Sequence, residues 1–238
     1  MGTSSSYSPP TGGAWTRLKR RATRFAHGAE PVASLVQSYV AALGGSEAAS
    51  VGAPAARETA QRLAAFVSDV GQSGLAEALR RRGIDSLSGL AVPDILARVI
   101  DVLAEHSDVF EESIARDAIT AVLQTLRDEC ETPKDLEELL KRLDDLVALS
   151  DLLARFFAEY IFKRLLQVIQ RQLRDGTRDK DDAANVEREL REHIRLRTQV
   201  RLRGVDRRTF DWLGPDGAAL MQRVSQDAFE VLGSDANG

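Results

Sequence analysis

Residues 150–169 read SDLLARFFAEYIFKRLLQVI, and their apolar members recur three and four positions apart. Leu152, Leu153, Phe156, Phe157, Tyr160, Ile161, Leu165, Val168 and Ile169 form the longest apolar stripe in the chain. That period belongs to a helix, because a half-buried strand alternates every second residue. The stripe is broad enough to need neighbours on several sides, which places this helix at the centre of a helical core. Ser150 is expected to cap it.

The flanking segments repeat the pattern. Thr132-Pro133 has the residues of an N-cap and first turn, and Leu136, Leu139, Leu140, Leu143, Leu146 and Val147 follow at helical spacing. Ser107 or Asp108 caps a helix carrying Phe110, Ile114, Ala118, Val122 and Leu126, and Pro93 opens one carrying Ile95, Val99, Val102 and Leu103. Further upstream, helices are expected over residues 31–44 and 55–70. Ser73 caps a short one through Leu75 and Leu79 that stops at Gly83. Residues 46–54 read as a linker, and residues 84–90 as a turn with apolar anchors. Downstream come a charged break over 174–182, a polar helix over 182–203, a Gly214-Pro215 break and a last helix over 216–232. No segment alternates with period two, and no unit of 20–50 residues repeats. The expected fold is all-α, an irregular multi-helix bundle with a disordered N-terminal arm. Residues 1–30 read as a flexible Gly/Ser/Pro arm plus a basic docking segment. Residues 31–238 read as a single helical domain with a point of subdivision near 174–182.

Composition agrees with this. Alanine, leucine and arginine dominate, and aromatic residues make up only 5%, which is a helix-former's palette. Arginine outnumbers lysine 27 to 5, a bias typical of GC-rich bacterial genomes. Cys130 is the sole cysteine, so no intrachain disulfide and no cysteine-based zinc site can form. No apolar run reaches the ~20 residues of a membrane span, and the N-terminus lacks the hydrophobic core of a signal peptide. A cytoplasmic location without a membrane partner is expected.

The net charge of −4 conceals a division along the chain. Residues 1–28 carry Arg17, Lys19, Arg20, Arg21 and Arg24 and no acid. Residues 101–160 carry 16 acids against 6 bases, and residues 188–208 carry eight arginines. Two readings of the basic segments follow. Arg17–Arg24, flanked by Trp15 and Phe25, is a docking segment for a protein partner, with Trp15, Arg17, Lys19, Arg20, Arg21 and Arg24 as its binding residues. Alternatively, that segment and the Arg188–Arg208 face make a helical nucleic-acid-binding adaptor, with bases stacking on Trp15 or Trp212.

Catalytic motifs are missing. There is no phosphate-binding loop, dinucleotide turn or nucleophile elbow. His27, His106 and His193 stand far apart, none with a second ligand at metal spacing. Asp175, Asp179, Asp181 and Asp182 lack the central glycine and terminal glutamate of a calcium loop. Glu129 and Glu131 flank Cys130 and raise its pKa, which disfavours a thiolate nucleophile. Glu111-Glu112 and Glu137-Glu138 fall in first turns of helices, where the dipole favours acids. No catalytic residue, no metal and no bound cofactor is expected, and the chain does not read as an enzyme.

The arm holds the one distinctive chemical handle. It opens Met1-Gly2-Thr3-Ser4-Ser5-Ser6, and methionine is removed efficiently before a tiny second residue. The Gly2 α-amine so exposed has a pKa of about 7.7–8, so a useful fraction is neutral and nucleophilic. Glycine carries no side chain, so Gly2 with Thr3, Ser4, Ser5 and Ser6 behind it can thread a narrow active site of another protein. The same residues fit an N-myristoylation pattern.

Several stretches together resemble one family, the B component of the bacterial Qat anti-phage defence systems. They are the Met-Gly-Thr-Ser-Ser-Ser opening with its Gly/Pro stretch, Phe66-Val67-Ser68-Asp69-Val70, and Gly74-Leu75-Ala76-Glu77-Ala78-Leu79-Arg80. Leu87-Ser88-Gly89-Leu90 and Glu111-Glu112-Ser113-Ile114-Ala115-Arg116-Asp117-Ala118 complete them. The basic Trp15–Phe25 segment departs from the family, whose members often have a proline-rich stretch there, and Ser88 stands where an alanine is frequent. The resemblance implies a non-enzymatic defence component. Its implied partners are a QueC-like enzyme, an ATPase and a TatD-like nuclease of the same operon. It further implies that Gly2 accepts a covalent 7-deazaguanine from the QueC-like enzyme.

Overall fold

The computed structural model describes residues 12–84, 87, 89–104, 109–177, 180–202, 205, 206 and 209–234. Among them the chain forms α-helices and no strand. The helices are α1 (Gly13–Ala26), α2 (Val32–Ala42), α3 (Ser46–Val51), α4 (Pro54–Ser73), α5 (Leu75–Arg80) and α6 (Val92–Leu103). They continue with α7 (Phe110–Arg127), α8 (Pro133–Leu143), α9 (Leu146–Gly176), α10 (Lys180–Arg197) and α11 (Pro215–Gly233). The all-α expectation holds.

The segment that decided the fold is the middle of α9, a helix of 31 residues. It packs against α1, α4, α7, α8, α10 and α11. Leu153, Phe156, Phe157, Tyr160, Ile161, Phe162 and Leu165 are buried on more than one of its faces, as a helix ringed by others requires. Each such side chain contributes about 1.5–3 kcal/mol on leaving water.

Local chemistry sets the boundaries, and several differ from the sequence reading. The Thr132 cap forms as a full capping box. Thr132 Oγ1 accepts from the Asp135 amide at 3.2 Å, and Asp135 Oδ2 accepts from the Thr132 amide at 2.8 Å. However, the helix it opens stops at Leu143, and Leu146 and Val147 belong to α9. Asp145 separates the two helices and caps α9, accepting from the amides of Val147 at 2.9 Å and Ala148 at 3.3 Å. Ser150 is therefore not the cap. It lies inside the helix and donates back to the Leu146 carbonyl at 2.6 Å. At the other end, α9 runs into the expected charged break and ends at Gly176.

Residues 46–51, expected in a linker, are helix α3. Ala49 and Ser50 are buried, and Ser50 Oγ is joined to Gln222 of α11 through its carbonyl oxygen at 3.2 Å and its amide nitrogen at 3.0 Å. A tertiary partner holds this short helix, which has too few residues to stand alone. Ser73 does not cap α5; its hydroxyl donates to the Asp69 carbonyl at 2.8 Å. Gly74 closes α4 and opens α5 with a φ of +84°, a left-handed conformation that glycine adopts without strain. The polar helix α10 ends at Arg197 rather than near 203. The proposed caps Ser107 and Asp108, and Asp85, Ser86 and Ser88 of the expected turn, lie outside the described residues.

Candidate functional site

Helix α1 begins where the described residues begin. Thr16 donates its amide to the Gly12 carbonyl at 3.0 Å. Leu18, Ala22, Phe25 and Ala26 are buried against the body, which α1 meets through α2 and α9. Trp15 is half-buried, with its ring edge-on to Tyr39 at 6.5 Å. The opposite face carries the bases. Arg17 and Arg20 are exposed and Lys19 is half-buried. Arg21 and Arg24 both reach Glu30, at 3.6 and 3.3 Å, and donate to the Ser34 and Ala29 carbonyls. Two of the five basic side chains thus brace the α1–α2 turn. Gly2, Thr3, Ser4, Ser5 and Ser6 lie outside the described residues.

Beneath α1, four helices bring polar groups together. Glu111 in the first turn of α7 accepts from the amides of Ala55 at 2.8 Å and Ala56 at 3.2 Å. It thereby caps α4, which has no cap of its own from Ala53. The Tyr160 hydroxyl of α9 donates to the same carboxylate at 2.7 Å. Burial pushes the Tyr160 phenol well above its usual pKa, and Glu111 adds to the shift against the opposing Arg164. One turn on, the Arg164 guanidinium sits 5.9 Å from the centre of the Tyr160 ring. Its Nη1 is buried with no hydrogen-bond partner among the described residues. Burial opposes its charge, but neighbouring Tyr39, Tyr160 and Glu111 outweigh that and raise its pKa.

A cavity of about 210 Å³ lies against this group, lined by Trp15, Tyr39, Phe110, Glu111, Arg164 and Val168 among others. A larger groove of about 550 Å³ between α11 and the segment after α10 mixes Arg201 and Arg223 with Asp227 and Glu230. It offers no single electrostatic character.

The arginine-rich segment is more structural than its composition suggests. Arg191 covers the Phe162 ring at 4.5 Å and lies 3.7 Å from Glu159. Arg188 donates to Asn185 at 2.6 Å, and Arg197 to the Val231 carbonyl at 3.4 Å. Glu187, Glu189 and Glu192 interleave with them. Trp212 is 4% exposed, its ring edge-on to Phe210 at 4.9 Å, so it is not placed to stack on a base. Arg203, Arg207 and Arg208 lie outside the described residues, as do His106 and Asp179.

His27 is exposed, with Nδ1 2.7 Å from the Thr23 carbonyl, and His193 is half-buried on α10. Among the described residues no three His, Cys, Asp or Glu side chains gather as metal ligands. Burial raises the Cys130 thiol pKa, with Asp135 and Glu129 adding to it. No helix among the described residues is long and apolar enough to cross a membrane. Sequence reasoning treated Glu111 as a dipole partner of its own helix and left Arg164 unremarked. The available clue was that Arg164 stands between Phe162 and Leu165 within the apolar stripe.

The family model described as Qat anti-phage system associated protein QatB matches residues 44–232. The chain belongs to that family, and its role lies in anti-phage defence. The match covers Glu111, Tyr160 and Arg164, whereas Trp15 and Tyr39 precede it. No curated protein and no solved structure matches the chain significantly.

Proposed function

We propose that this QatB-family chain serves as a non-enzymatic partner and N-terminal substrate of a QueC-like enzyme, which conjugates a 7-deazaguanine to the Gly2 amine. The observation that carries the reading is the sequence Met1-Gly2-Thr3-Ser4-Ser5-Ser6, a slim polar stretch presenting a glycine amine ahead of the family-matched region. The neutral Gly2 amine attacks the carbonyl carbon of an acyl-adenylate. The new amide bond forms, AMP leaves, and the amine's surplus proton passes to a base of the enzyme. The catalytic groups belong to the partner, and the helical body presents the arm. Arg17, Lys19 and Arg20, which stand clear of the Glu30 brace, are the contacts available to an acidic surface of the enzyme, with Trp15 at their side. An ATPase and a TatD-like nuclease complete the cytoplasmic set of partners.

Intact-mass measurement after co-expression with the QueC-like enzyme tests this. The expected result is a mass increase that maps to Gly2. An unmodified Gly2 terminus, with the enzyme shown to be active, overturns the reading. The competing nucleic-acid adaptor demands affinity that falls steeply with salt, which filter binding at two salt concentrations measures.

A further inference from the structure

We propose that the groove between α11 and residues 198–202 takes an extended peptide segment of a protein partner, which adds to those residues as a β-strand. Residues 198–202 follow α10 without forming helix or turn. Their exposure alternates: Thr198 and Val200 are buried, whereas Gln199 and Arg201 are exposed. Side chains that alternate between inside and outside mark an extended backbone. Leu202 donates its amide to Ser150 Oγ at 3.4 Å. By contrast, the amide and carbonyl groups of Gln199, Val200 and Arg201 make no hydrogen bond among the described residues. An extended stretch with idle backbone groups is a template on which a second strand pairs.

The side chains beside this edge fix the chemistry of the partner. The groove has a volume of about 550 Å³, within the range of ligand-holding clefts. Leu220, Val224 and Val231 supply its apolar part. Along α11 the exposed order is Arg223, then Asp227, then Glu230, with Arg201 on the facing segment. None of these four side chains forms an ion pair or hydrogen bond among the described residues, although Arg223 and Asp227 are one turn apart. The helix face is therefore bipolar and lacks counter-charges. A partner chain with an acid opposite Arg223 and a base opposite Asp227 and Glu230 supplies them, and such complementarity sets register and partner choice. At ~1.5 Å of rise per residue, the two acids lie roughly 6–11 Å along the axis from Arg223. Residues i and i+2 of a strand share a face and lie ~7 Å apart. The segment that fits thus carries an acid and a base two positions apart. An apolar residue between them turns the other way, toward Val224 and Val231.

The test selects binders from a random mRNA-displayed peptide library on the full-length protein. Enriched peptides should carry an acid and a base two positions apart, and the best of them, made synthetically, should bind in calorimetry. Arg223→Glu should weaken that binding roughly tenfold or more, because a like charge then faces the peptide's acid. Replacing that acid by lysine should restore binding to the variant. Arg223 is exposed and unpaired, so Arg223→Glu should melt as wild type does. Asp227→Lys, rescued by an acid in place of the peptide's base, stands in if Arg223→Glu does not fold. Arg98→Glu, exposed on α6, should bind as wild type does. Hydrogen exchange at Gln199–Arg201 should slow when the peptide is bound. Three results each overturn the proposal: no enrichment, equal binding by the groove variants and wild type, or unchanged exchange at 199–201. A dimer in light scattering that Arg223→Glu splits puts a second copy of this chain in the groove, and overturns it as well.

Discussion

The Tyr160 hydroxyl donates to Glu111 across the α7–α9 interface at 2.7 Å, and the same carboxylate caps α4 through Ala55 and Ala56. One side chain therefore joins three helices. Tyr160→Phe should cost about 1 kcal/mol, the net value of one hydrogen bond. Glu111→Ala should cost about 2–4 kcal/mol, because it strands two helix-end amides and a buried phenol together. Urea denaturation of both variants and of the double variant measures this. The double variant should lose less than the sum, because the two residues share a bond.

Gly217, in the first turn of α11, has no room for a side chain. A Cβ there would lie 1.9 Å from the Trp212 carbonyl oxygen and 2.5 Å from its carbon. Both are backbone atoms, which cannot swing aside as a side-chain tip does. Gly217→Ala should therefore lower stability by about 1–3 kcal/mol, even though alanine favours helix. Thermal melts of the variant provide the check, and an unchanged Tm would contradict the packing of Trp212 on α11.

His193 gives the body a pH response. Burial, with Arg197 adding to it, holds its pKa below the ordinary value of 6.5. The folded state thus binds the proton less readily than the unfolded state does. Stability is fully present above pH 6.5 and falls as pH drops from there through the lowered folded pKa. His193→Gln should flatten that part of the curve and leave the region above pH 7 with its slope unchanged. Urea midpoints measured from pH 5 to 8 for both proteins test the sign.

Arm and body should be separable. Residues 2–9 are Gly, Thr, Ser, Tyr and Pro, with little to bury, so their deletion should leave the thermal melt near that of wild type while abolishing Gly2 modification and phage protection. Leu153 is fully buried on α9, so Leu153→Asp should unfold the body. Circular dichroism melts beside a phage-plating assay distinguish the two effects. A deletion variant melting far below wild type would mean that the arm packs as structure.

The sequence by itself determined the helical class, the central place of residues 150–169, and the punctuation at Thr132-Pro133 and Gly214-Pro215. These follow from apolar period and from residues whose backbone preferences act locally. It also displayed Gly2 and the QatB-like stretches, because covalent chemistry and residue order need no fold to be read. Tertiary structure decided the rest. Residues 46–51 became a helix because Gln222, far along the chain, holds Ser50. Asp145 displaced Ser150 as the cap because the chain breaks between α8 and α9, where the spacing of Leu143, Leu146 and Val147 runs on without interruption. The union of Trp15, Tyr39, Phe110 and Arg164 around one cavity was likewise invisible in sequence. These residues are distant along the chain, and only the packing of α1 and α7 on α9, with α2 held against α1, brings them together.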